Sequence, residues 1–118
     1  MNMKLNKAAL KHAKALIEGG KYIADTDWSE AQPSAGDESD YLDRHGWDEY
    51  GQWYLGLDPD ESKETKERHK FPYGDFKRVH RAGVIAAKQR AAQYDYHDVE
   101  QAADELLDLI DRKEGRAD

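Results

Sequence analysis

The sequence predicts an all-α fold, a small bundle of four to five helices with a central helix over about residues 76–93. Two observations carry this expectation. Only 38% of residues are apolar while 36% are charged, with three Trp, seven Tyr and two Phe supplying much of the large apolar surface, a profile that suits thin amphipathic helices. Apolar residues also recur at helical spacing in several separate stretches, most clearly near the C-terminus. A chain of 118 residues can bury a real core without disulfides or metal, so a single helical domain over 1–118 is expected.

Leu5, Ala9, Ala13, Leu16 and Ile17 share one helix face, with Asn6 as the cap and Gly19-Gly20 as the stop. Residues 22–38 then turn to Asp, Ser, Gly and Pro around a lone Trp28, which reads as an acidic loop with the tryptophan packed back onto the domain. Trp47, Tyr50, Trp53 and Tyr54 fall at i, i+3, i+6 and i+7, which predicts a helix over 47–56 with an aromatic core stripe, ended by Gly56. Asp58-Pro59 makes a turn into a short helix reaching about Arg68.

In Lys70–Arg81, Pro72 restricts Phe71, Gly74 suits a turn and Asp75 is placed to cap a helix from Phe76. The small residues Ala82, Gly83, Ala86 and Ala87 let a second helix approach that one closely. Asp98 with Gln101 reads as a capping box, and Val99, Ala102, Ala103, Leu106, Leu107 and Ile110 form the clearest amphipathic stripe in the chain. Residues 114–118 read as a loose tail.

The net charge of −7 resolves into blocks of +4 over 1–21, −11 over 22–62, +6 over 63–90 and −6 over 91–118. Such blocks can satisfy one another within a monomer or between copies. There is no Cys, hence no thiol nucleophile, no thiolate metal site and no need of an oxidising compartment. Lysines interrupt every apolar run in Met1–Lys21, so neither a secretory signal nor a membrane span is expected and cytoplasmic residence is the default.

His12, His45, His69, His80 and His97 lie in five segments with no metal-ligand spacing, and no nucleotide loop or serine-hydrolase elbow is present, so no metal and no cofactor are expected. The residues of interest are Tyr73, Lys77, Arg78, His80 and Arg81, gathered at one helix start. The leading expectation is a non-enzymatic protein-interaction or accessory module, with a protein partner or self-association. The alternative is nucleic-acid binding through the basic segment 66–90, in particular Lys70, Lys77, Arg78 and Arg81. A third is a small enzyme using His80 with Asp75 and Tyr73.

The run Trp47-Asp48-x-Tyr50-x-x-Trp53-x-Leu55-Gly56-x-Asp58, followed by Glu64-Thr65-Lys66 and Lys70-Phe71-Pro72-Tyr73-Gly74-Asp75-Phe76, resembles a signature of small uncharacterised bacterial proteins. A looser version resembles segments near phage or prophage head proteins. The resemblance spans roughly half to two thirds of the chain, implies a stand-alone helical module of unknown function and assigns no functional residue.

Overall fold

A computed structural model describes residues 3–115, and it corrects the all-α expectation: five helices are joined by five short strands in two sheets, a mixed α/β fold. The strands are β1 (Lys4–Leu5), β2 (Tyr22–Ile23), β3 (Tyr54–Leu57), β4 (His69–Pro72) and β5 (Val79–His80). The helices are α1 (Lys7–Glu18), α2 (Trp28–Ala31), α3 (Ala35–Gly51), α4 (Arg81–Gln93) and α5 (His97–Lys113). One antiparallel sheet runs β1-β3-β4, and β2 pairs in parallel with β5.

The N-terminal helix follows its sequence signals. The Asn6 side chain accepts from the Ala9 N–H and, nearly fully buried, its Nδ2 also donates to the carbonyls of Gly51 (2.8 Å) and Tyr54 (3.0 Å). One asparagine thus caps α1 and anchors it to the end of α3 and the start of β3. Residues 22–38 are more ordered in secondary structure than a loop: they contain β2, α2 and the first turn of α3, which Ser34 and Asp37 close as a reciprocal capping box.

The expected helix over 47–56 divides in two. Helix α3 ends at Gly51, after a kink where Gly46 takes φ 83°, and the chain then extends into β3. Tyr50, Trp53 and Tyr54 are core residues as expected, and Trp47 packs partly buried beside them, but Trp53 and Tyr54 reach the core from outside the helix. The reason is tertiary: β3 lies between β1 and β4, whose backbones take its hydrogen bonds on both edges. The short helix before Arg68 shrinks to a single 3-10 turn at Lys66–Arg68.

The central helix also starts later than expected, at Arg81 instead of Phe76. The Asp75 carboxylate caps a tight turn, accepting from the N–H groups of Lys77 (3.0 Å) and Arg78 (2.7 Å), and β5 intervenes before α4. Gly74 serves the turn by leaving space rather than by left-handed backbone; the left-handed residues nearby are Phe71 (φ 65°) and Phe76 (φ 67°). Helix α5 begins after Tyr96 without a side-chain cap, so Asp98 and Gln101 form no capping box.

Helix α5 is the shared partner in the packing, resting against α4, α1, β1 and β3. Its buried Val99, Leu106 and Ile110 contribute about 5–9 kcal/mol of transfer free energy before ordering entropy is subtracted. Beyond it, the Tyr22 hydroxyl donates to Glu114 at 2.7 Å, which ties down the start of the expected tail; residues 116–118 lie outside the described residues. No helix among the described residues is long and apolar enough to cross a membrane.

Candidate functional site

The turn that joins β4 to α4 does not gather the five predicted residues into one surface. Tyr73 is fully buried: its ring stacks on Trp53 at 5.6 Å and its hydroxyl donates to the Gln52 carbonyl at 2.7 Å. Burial pushes that hydroxyl well above its ordinary range. Arg81 is held by Asp111 through two hydrogen bonds of 2.8 and 3.2 Å, which lash the first turn of α4 to α5. Lys77 and Arg78 project into solvent.

His80, 3% exposed, lies between two partners. Its Nε2 is 2.9 Å from Asp75 Oδ2, and its Nδ1 is 3.0 Å from the hydroxyl of Thr26, a residue that sequence reasoning missed. In the neutral tautomer that suits an ionised Asp75, Nε2 carries the proton and Nδ1 accepts from Thr26. Burial of Asp75 raises its pKa, but the bonds from His80 and from the Arg78 and Lys77 N–H groups outweigh that and hold it below the usual carboxylate value. A hydroxyl, an imidazole and a carboxylate in line have the order of a nucleophile, base and orienting acid. Here, however, Trp28 leans on the imidazole with ring centres 5.8 Å apart, and none of the three residues lines the three main clefts. The array ties the Thr26 loop to β5 and to the Asp75 turn.

The more open feature is a groove of about 610 Å³. Trp28 forms one wall, seated over Gly83 so closely that a Cβ there would stand 2.8 Å from the indole. Strand β4 contributes Lys70 and Phe71, and α4 contributes Ala86, Ala87 and Arg90. Tyr94 and Tyr96 complete the rim: Tyr94 is 53% exposed and stacks on Tyr96 at 6.0 Å, and Tyr96 meets Phe71 edge-on at 6.0 Å. Left-handed backbone at Phe71 and at Asp95 (φ 59°) aims these rings, at a cost of about 1–2 kcal/mol for each such residue.

Glu38 and Tyr54 also border the groove, and the Tyr54 hydroxyl donates to Glu38 at 2.8 Å. That uses its single proton, so the Tyr50 hydroxyl, 2.9 Å away, donates to Tyr54 in turn. Burial first, and then the Glu38 carboxylate that accepts its proton, push the Tyr54 hydroxyl far above its ordinary range.

The basic residues of 66–90 divide by partner. Arg81 and Lys88 meet Asp111 and Asp104, Lys66 bonds to Ser39, and Arg68 bonds to the Glu61 carbonyl. Lys70 and Arg90, both on the groove, have no carboxylate within ion-pair distance among the described residues, and neither do Lys77 and Arg78. The described residues include no cluster of three or more His, Cys, Asp or Glu able to hold a metal. Comparison with family models, curated proteins and solved structures finds no match for the chain.

Proposed function

We propose that this protein is a non-enzymatic interaction module that docks a protein partner in the groove between Trp28, β4 and the C-terminal end of α4. The observation that carries this reading is an aromatic-walled groove whose two cations, Lys70 and Arg90, lack carboxylate partners among the described residues, while Arg81 and Lys88 on the helix of Arg90 are paired. Exposed aromatic and basic side chains in one concavity are the composition of interface hot spots. Nucleic-acid binding is less well supported, because Arg81 is committed to Asp111, Tyr73 is buried and the chain carries a net charge of −7. Catalysis by His80 is also less well supported, since the Tyr73 hydroxyl bonds elsewhere and His80 is enclosed. A cysteine-free chain favours cytoplasmic residence.

Selection of a random dodecapeptide phage library on the wild-type protein, with counter-selection on a Tyr94→Ala/Arg90→Ala variant, tests this. Both side chains are exposed, so the variant keeps its fold. Enrichment of peptides that bind only the wild type is expected. Peptides that bind both proteins equally, or none at all, would overturn the docking role.

A further inference from the structure

We infer that the groove takes an extended acidic segment of a partner protein that carries an aromatic side chain. This rests on the docking role proposed above and adds the chemistry of the occupant. Lys70 and Arg90 present two positive charges to the groove without a carboxylate partner among the described residues, so a bound segment that brings carboxylates gains two charge-assisted contacts. Trp28, Phe71 and Tyr94 offer ring faces and edges, to which an aromatic side chain adds edge-to-face or offset contacts.

The backbone beside them suits an extended chain. Among the described residues, strand β4 is at the edge of its sheet, bonded to β3 alone, and its register pairs Tyr54 with Pro72, Gly56 with Lys70 and Leu57 with His69, which skips Phe71. The left-handed Phe71 is therefore a strained residue at an unpaired edge, bordering the groove. A polyanion such as single-stranded DNA fits less well, because Glu38 sits in the same groove and the whole chain is acidic.

Fluorescence anisotropy with four labelled probes decides the point. They are a twelve-residue peptide of Asp and Glu with two Phe, its Asn/Gln counterpart, its counterpart with Ala for Phe, and a twelve-nucleotide oligothymidylate. The acidic aromatic peptide is expected to bind tightest. Lys70→Gln/Arg90→Gln is expected to weaken it about tenfold, Lys77→Gln/Arg78→Gln less than about twofold, and raising NaCl should weaken it further. Equal binding of the Asn/Gln or Ala counterpart would overturn the inference. So would a larger effect of Lys77→Gln/Arg78→Gln, or tighter oligothymidylate binding lost in Lys70→Gln/Arg90→Gln. If the phage selection yields groove-dependent peptides that are neutral or basic, the acidic class is wrong and the docking role stands; if it yields none, both fall.

Discussion

Gly74→Ala probes the packing under the Lys70–Arg81 stretch. A Cβ at position 74 would stand 2.5 Å from the Arg78 carbonyl oxygen and 2.7 and 2.8 Å from two atoms of the Trp53 ring. Neither neighbour can withdraw cheaply. The Arg78 oxygen accepts from the Asp75 N–H at 3.1 Å, so moving it opens the turn, and Trp53, 3% exposed, is wedged against Tyr73 and Phe76. Overpacking costs about 1–3 kcal/mol and a strained turn hydrogen bond about 1 more, so a loss of roughly 2–4 kcal/mol is expected. For a chain of this size that lowers Tm by on the order of 6–20 °C. Thermal unfolding followed by circular dichroism, with a urea titration for ΔG, measures it. Gly36→Ala is the control: its nearest neighbour is Ser34 Oγ at 3.7 Å, and it should be neutral or stabilising by up to about 1 kcal/mol. A Gly74→Ala protein within about 0.5 kcal/mol of wild type would refute the close-packing argument.

Asn6→Ala removes the α1 cap and strands the Gly51 and Tyr54 carbonyls, which should cost about 2–4 kcal/mol by urea denaturation, where an exposed cap would cost about 1. Stability should also fall on acidification in two windows. The folded-state pKa of His69 is lowered by burial and then by Arg68, and that of His12 by burial, so their contribution is complete above about pH 6.5 and is lost as pH falls through their folded values; His69→Phe should flatten this limb. Asp75 is depressed as well, so its contribution is present above about pH 3.8 and lost below, and Asp75→Asn should remove that second limb in pH-dependent urea titrations.

The helices were legible wherever local chemistry sufficed. Asn6 announced α1, and Val99, Ala102, Ala103, Leu106 and Ile110 announced the buried face of α5. The strands were not, because they are two to four residues long, less than the alternation needed to register a period of two, and their partners are distant in sequence. Trp53 and Tyr54 continue a helical spacing that the sheet overrides at Gly51. Left-handed Phe71 and Phe76 contradict the rule that assigns such backbone to glycine, so the turn was recognised while its geometry was not. Of the candidate site, the pairing of His80 with Asp75 was within reach of sequence reasoning. Thr26 was not, being 54 residues from His80, nor was the groove, which draws Trp28, Phe71 and the Arg90–Tyr94 end of α4 from three separate segments.

The parallel pairing of Tyr22–Ile23 with Val79–His80 also bears on how the chain acquires its shape. Residues 3–31 are made before the elements they pack on, which are β3, β5, α4 and α5. Helices α4 and α5, adjacent in sequence and packed against each other, need only a short loop closure to meet, whereas β2 must wait for the chain to return across more than fifty residues. On loop-closure entropy alone, α4 with α5 is therefore the cheapest pair to bring together and β2 with β5 among the costliest.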